Sequence, residues 1–402
     1  MKPVLLRPII FPMKRLEALL TKKEKLICGV MSGTSLDGID VAVVRVSGCG
    51  TDTTFSCEAF ETIPFSDAMR DDLLAMQTEQ MLDDVARGNI ALGFVFADAI
   101  KAVCKKHRIR MKNLDAIGLH GQTIRHAPKK KIMFGKRTGG TLQIGDPSVV
   151  AKRTGVVTIG DFRVADCAVG GEGAPLIPYI DYILFRSEKI SRGLLNIGGI
   201  ANITVLPKKC ALGDVIGYDT GPGNMIIDSL TKRFFSRNFD RNGAIARTGK
   251  INFELYEHLL EHPYIFKPVP KSTGREMFGE TFVNESLNKY KNLPPADVLR
   301  TITEFTPGCV YLSYMKFVES KTKIQELIIS GGGAHNALMI ERFKHMFKKV
   351  RVVTSDKYGI PVDAKEAIGF ALLANETINE QPANVPRVTG ATRQTILGKI
   401  CL

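Results

Sequence analysis

The sequence predicts an α/β protein made of two duplicated domains around an interdomain cleft, and three glycine-bearing stretches carry that expectation. The first is residues 27–46, ICGVMSGTSLDGIDVAVVRV. Residues 27–31 are short and apolar, Ser32-Gly33-Thr34-Ser35 and Asp37-Gly38 are turn residues, and residues 39–46 are rich in β-branched side chains. The second stretch, LLNIGGIANITVL at 194–206, lies about 165 residues later and sets Gly198-Gly199 between two apolar runs. Two strand–turn–strand devices, each opening half of the chain, point to duplication. The third is IISGGGAHN at 328–336, an apolar strand running into Gly331-Gly332-Gly333 and then a helix-like stretch at 338–347. Glycine-bearing turns with hydroxyls let backbone N–H groups close around phosphate oxygens. Glycines after a strand let the backbone approach a flat ring or a ribose. Taken alone, residues 27–46 also fit a plain hairpin with a long turn. They are not a P-loop, because no Gly-Lys-Ser/Thr follows.

Two such hairpins and one glycine-rich turn, in this order, resemble the actin/hexokinase/Hsp70 superfamily of ATP-binding proteins, whose two domains are RNase H-like (actin-like ATPase) folds. A closer resemblance rests on a series of motifs in sequence order. These are Met31-Ser-Gly-Thr-Ser-Leu-Asp-Gly38, Leu119-His-Gly-Gln-Thr-Ile-Arg-His126, Gln143-Ile-Gly145, Asp161-Phe-Arg163 with Asp166, Gly170-Gly171 and Gly173-Ala-Pro-Leu176. Asp219-Thr-Gly-Pro-Gly-Asn224, Lys271-Ser-Thr-Gly-Arg-Glu276 and Tyr358-Gly-Ile-Pro361 follow. Together they resemble the anhydro-N-acetylmuramic acid kinases, from about residue 26 to about 398. Glu172 stands where the family pattern has Gln, and Gly160 where it has Ala.

Composition narrows the alternatives. A length of 402 residues suits two domains with a large core. The eight cysteines show no CxxC and no ligand spacing with the seven histidines, so they read as reduced thiols in a reducing compartment. No apolar run reaches the roughly 18 residues of a membrane span. The net charge of +14 invites a nucleic-acid reading, but the lysines fall in short separate runs, Trp is absent and no aromatics interleave them. Attraction of anionic substrates accounts for the charge as well. The expectation is a cytoplasmic protein with small-molecule partners, no nucleic acid and no membrane; a homodimer stays open.

Taken in order, residues 1–25 lie outside the resemblance and are read as an N-terminal extension. Residues 26–155 are expected to form the first domain, with 376–402 returning to it. A strand at 57–62, helices at 67–76 and 81–105, and a buried strand at 114–119 that delivers His120-Gly121-Gln122-Thr123 make up that domain. Residues 156–375 form the second, with an insertion at 236–296. Its strands are expected at 156–159, 215–218, 326–330 and 351–354, each domain holding a five-stranded sheet. Helices are read at 224–235, 253–260, from Pro294 to Lys321 and at 365–374.

The resemblance implies an ATP-dependent kinase that opens 1,6-anhydro-N-acetylmuramic acid with water and phosphorylates O6, in peptidoglycan recycling. The bicyclic sugar has no free 6-hydroxyl, so water attacks C1 while O6 departs toward the γ-phosphorus. Asp219 is the implied base, in the manner of an inverting glycosidase. ATP and Mg²⁺ are the implied cofactors. Ser32, Gly33, Thr34, Ser35, Leu36, Asp37, Gly38, Gly198 and Gly199 grip the phosphates, and Gly331, Gly332 and Gly333 the nucleoside. Gln122, Thr123, Arg163 and Glu366 are the sugar-side candidates; an Arg fork suits a carboxylate. No dense carboxylate cluster offers a protein cage for the metal, which leaves phosphates and waters to hold it, with Asp37 and Asp40 nearby. His120 reads as a base or as an orienting histidine. A kinase for another sugar, or a non-catalytic ATP-switched module, is the alternative.

Overall fold

Both glycine hairpins form, and each opens a sheet of the same design. The computed structural model describes residues 12–33, 36–78 and 82–402. The chain divides into one unit of residues 1–176, 366–384 and 389–402, and a second of 177–365 and 385–388.

In the first unit, β1 (Glu24–Ser32), β2 (Gly38–Ser47) and β3 (Thr54–Pro64) form an antiparallel meander. Next come β4 (Ala116–Met133), β5 (Lys136–Ile144) and β6 (Val157–Gly160). β4 lies parallel to β1, and β6 parallel to β4. A C-terminal strand, Lys399–Cys401, closes the far edge against β6. The sheet has seven strands, β5 pairing only with β4. In the second unit, β7 (Arg192–Ile197), β8 (Ile200–Leu206) and β9 (Ile216–Pro222) repeat the meander. β10 (Glu326–Ser330) and β11 (Arg351–Thr354) then extend it in parallel, in the order β11-β10-β7-β8-β9. The order and the strand directions match β6-β4-β1-β2-β3. The duplication is therefore visible in topology, and it is the RNase H-like, actin-like ATPase arrangement.

Three expectations need correction. The strand at 157–160 pairs with β4, so the first unit runs to Leu176 and not to residue 155. The return to that unit starts at Glu366, not at 376, and residues 385–388 go back to the second. The first sheet has seven strands and not five, because β5 and the C-terminal strand join it. The β4–β5 ribbon was not anticipated: its lysine-rich stretch lacks the apolar alternation of a half-buried strand. The N-terminal extension is in part a helix, Pro12–Thr21, whose Arg15 donates to the Gly155 carbonyl. Lys22 beyond it pairs with Asp115 at 2.7 Å.

The helices that seat the site begin on local signals. Asp146 accepts from Ser148 N–H ahead of Pro147–Thr154, with Pro at the first turn and Gly155 closing the end at φ 68°. Asn252 and Asn336 cap Phe253–Leu260 and Ala337–Met346 in the same way. Gly29 and Gly118 face each other across β1 and β4, and a Cβ on either would lie about 2 Å from a backbone oxygen of Ala367 or Phe370. The helix Lys365–Ile378 therefore lies on bare backbone, which sets the height of Glu366 at its first turn.

Candidate active site

In the first unit the turn after β1 is held from beneath by side chains. Gln122 is fully buried on β4. Its Oε1 accepts from Ser32 Oγ at 2.6 Å, and its Nε2 donates to the Gly33 and Thr123 carbonyls at 3.2 Å each. Ser32 Oγ also lies 3.1 Å from the Gly38 carbonyl. The Ser32 hydroxyl proton is thus directed into the protein, and the amide of Gln122 is occupied in bracing the turn. Leu36 adopts φ 60° and is fully buried in the core, so its side chain is a core contact and not part of a phosphate grip. Its carbonyl accepts from Arg70 Nε at 3.1 Å. Thr34 and Ser35 lie outside the described residues. Asp37 is exposed, and its carbonyl accepts from Phe65 N–H at 3.2 Å. The carboxylate of Asp40 accepts from Thr62 Oγ1 at 2.5 Å.

His120 is resolved by its partners. Its Nδ1 bonds the Gly121 carbonyl at 2.8 Å, which requires a proton there, and its Nε2 accepts from Arg163 Nε at 3.0 Å. Burial pulls its pKa down to about 3, and the charge of Arg163 adds to the fall. The ring is neutral with its lone pair already taken. It orients Arg163 and is not placed to act as a base. Arg163 also donates from Nη1 to the Gly173 carbonyl at 2.8 Å. Burial lowers its pKa while the Glu366 carboxylate opposes the shift, so these two predicted residues lie within electrostatic reach of each other. Thr123 Oγ1 accepts from Gln143 Nε2 at 3.1 Å. A cavity of about 470 Å³ is lined by His120, Gln143, Gly145, Asp161 and Lys399, among others; Gln122, Thr123, Arg163 and Glu366 do not line it.

Asp166, given no role from sequence, organises the next loop. It is fully buried and accepts from Gly173 N–H, Asn384 Nδ2 and Thr389 Oγ1 at 2.7–2.8 Å. The only signal for it in the sequence was its place in the motif; Gly173 is seven residues on, but its side-chain partners Asn384 and Thr389 lie over 200 residues away. The side chain of Glu172, the departure in this loop, is exposed.

In the second unit the two glycine turns meet. Gly198-Gly199 follows β7 and Gly331-Gly332-Gly333 follows β10, its parallel neighbour, so both stand at strand C-terminal ends. Asn224 N–H donates to the Gly198 carbonyl at 2.7 Å, and Gly223 N–H to that of Gly199 at 2.9 Å. The start of helix Met225–Phe235 is thereby docked on the turn. Gly331, at φ 81°, donates to the Val362 carbonyl at 2.8 Å. A Cβ added to Gly198 would meet only the Ile200 carbonyl oxygen, at 3.8 Å, while one on Gly199 would touch the Met225 side chain at 3.4 Å.

Asp219 lies inside β9 and not at its end, because the strand continues to Pro222. Asn202 pairs with Asp219, but the neighbouring Ala201 pairs with Gly221, which leaves Thr220 as an extra residue. Such a bulge re-aims the side chain beside it. Asp219 is pinned on three sides. Its N–H donates to the Lys271 carbonyl at 3.1 Å, its carbonyl accepts from Tyr264 Oη at 2.9 Å, and its Oδ2 accepts from Thr273 N–H at 2.9 Å. Lys271 is buried, and its ammonium donates to the Tyr264 and Ile265 carbonyls at 3.0 and 2.8 Å. Burial lowers its pKa to about 8, against charges that include Asp219.

The duplicated fold, with glycine turns at strand ends and a pinned aspartate on β9 in the second unit, is that of the actin-like ATPase class. The anhydro-N-acetylmuramic acid kinase family matches residues 25–402, and the chain belongs to that family. The chain is 44% identical to the anhydro-N-acetylmuramic acid kinase of Clostridioides difficile, over 92% of this chain and 97% of that one. It is 43% identical to the enzyme of that name from Caldanaerobacter subterraneus, over 97% of this chain and 100% of the other. Among solved structures, the activator of the 2-hydroxyisocaproyl-CoA dehydratase from Clostridium difficile is 12% identical, with a TM-score of 0.44, covering 88% of this chain and 96% of that chain.

Proposed function

We propose that the chain hydrates 1,6-anhydro-N-acetylmuramic acid and phosphorylates its O6 from ATP, giving N-acetylmuramic acid 6-phosphate in peptidoglycan recycling. The reading rests on family membership for the reaction, and on the pinned carboxylate of Asp219 for the chemistry. Asp219 takes a proton from water as the water oxygen bonds to C1. The C1–O6 bond breaks, and its electron pair goes to the γ-phosphorus as ADP leaves. The proton then passes from Asp219 to solvent. Because phosphorus receives O6, no general acid is needed.

The other residues orient and hold. Arg163, fixed by His120 and Gly173, presents a guanidinium suited to the sugar's lactyl carboxylate, with Thr123 and Glu366 as further sugar-side groups. The backbone at Gly33, Gly198 and Gly199 holds phosphate oxygens, and Gly331–333 accommodates the nucleoside. Mg²⁺ would be held through phosphates and waters and would neutralise charge there. Among the described residues no three His, Cys, Asp or Glu gather into a metal site.

Asp219→Asn tests the base directly. Asn preserves size and can still accept from Thr273 N–H, but it takes no proton. The variant is expected to lose about 10²–10⁴-fold in kcat with nucleotide affinity little changed. Activity within a few-fold of the parent would make Asp219 a structural residue of β9, held for the fold and not for the chemistry. Turnover in ¹⁸O-water should place the label at C1; label on phosphorus would reject the mechanism. ATP consumption indifferent to the anhydro-sugar, or equal with other amino sugars, would reject the substrate.

A further inference from the structure

The tip of the β4–β5 ribbon has no part in the site described above, yet its chemistry is specific. Met133 pairs with Lys136, so the connection is the two-residue turn Phe134-Gly135, with φ 50° and 73°. Positive φ at both positions is a type I′ turn, whose first place favours Asn, Asp or Gly. A bulky aromatic there is a conformational outlier. Phe134 is also 98% exposed, so no burial within this chain offsets that disadvantage. Next to it, Ile132 is 74% and Met133 54% exposed.

A cationic collar surrounds this apolar tip. Arg137 pairs across the ribbon with Ile132, and Lys136 with Met133, while Lys129 and Lys131 stand exposed just behind. Residues 116–145 contain six Lys and Arg and no Asp or Glu. An exposed aromatic and aliphatic wedge ringed by cations matches an anionic bilayer surface: headgroups attract the collar, and the wedge enters the headgroup–acyl boundary. A nucleic acid would engage the cations but gives no role to Ile132 and Met133.

We propose that the β4–β5 ribbon is a reversible docking element for anionic lipid surfaces. Contact is peripheral, since no helix among the described residues is long and apolar enough to cross a membrane. This departs from the expectation of no membrane partner, and it gives the lysine run at 129–131 a role beyond substrate attraction. It does not rest on the proposed reaction.

The test is cosedimentation of the full chain with phosphatidylcholine vesicles, with and without phosphatidylglycerol. Retention is expected only with phosphatidylglycerol and should fall with added salt. Phe134→Asn supplies the residue the turn favours and removes the wedge. It should weaken retention about tenfold to hundredfold with a thermal midpoint equal to or above the parent's. Arg137→Gln should weaken it about fivefold, for one charge lost near the surface. Turnover on soluble substrates should be unchanged in both variants. Several outcomes overturn the proposal: no retention on phosphatidylglycerol, equal retention of Phe134→Asn and the parent, or a larger species in solution that Phe134→Asn abolishes. The second outcome would indicate a surface that reads charge alone, and the third a second copy covering the tip.

Discussion

The turn after β1 and the turn after β7 occupy equivalent places in two copies of one sheet, but they are held by different means. The second is backbone held by backbone: Gly223 and Asn224 donate to the carbonyls of Gly199 and Gly198. The first is backbone held by side chains: Gln122 and Ser32 brace it, and Arg70 ties down Leu36. Topology was retained through duplication, while each turn acquired its own support. A backbone-held turn needs glycine where two main chains meet. A side-chain-held turn needs a buried polar group whose hydrogen bonds are all made.

Three substitutions sharpen that contrast. Gly223→Ala should have the largest effect, because its Cβ would lie 2.2 Å from the Gly198 carbonyl oxygen. The main chains must separate, and a shift of that kind at a site costs about 10²-fold. Steady-state kinetics with ATP as the varied substrate should show that loss in kcat/KM while the circular dichroism spectrum stays native. Full activity would mean the second turn does not position phosphate. Gln122→Met keeps the volume but leaves the Gly33 carbonyl and Ser32 hydroxyl without this partner. Leaving buried groups unpaired costs about 1–3 kcal/mol, to be read by urea unfolding. A variant as stable as its parent would remove the side-chain brace from the account.

The third substitution is read through pH and concerns His120, which supports the same unit through Arg163. Its folded pKa of about 3 lies below the ordinary 6.5, so the unfolded state binds the extra proton first. The stability from keeping His120 neutral is fully present above pH 6.5 and is lost as pH falls toward 3. Unfolding followed across that window should show less acid sensitivity in His120→Gln than in the parent. Identical pH slopes would place the acid response elsewhere.

Much of this was legible beforehand because it depends on local rules. Glycine turns between β-branched runs marked both hairpins, and the 3.6-residue spacing marked Asp67–Thr78 and Phe253–Leu260 within a residue or two. The motif series named the family. Boundaries were less legible: Val157–Gly160 reads as a strand, but nothing local says that it joins β4. The ribbon tip was missed because a lysine-rich segment fails the alternation that reveals a half-buried strand.

By itself the sequence determined the duplicated α/β design, the family, and Asp219 as the residue to watch. These follow from residue types at short spacings, where propensity and turn chemistry act. Tertiary structure alone decided how those residues are used. It directed the Ser32 hydroxyl and the Gln122 amide inward, buried Leu36, gave the His120 lone pair to Arg163, and turned Asp219 on a bulge against Thr273. A side chain's donors and acceptors are assigned by whichever partners folding brings within about 3 Å. Those partners, from His120 and Arg163 to Asp166 and Thr389, stand 43 to 223 residues apart along the chain.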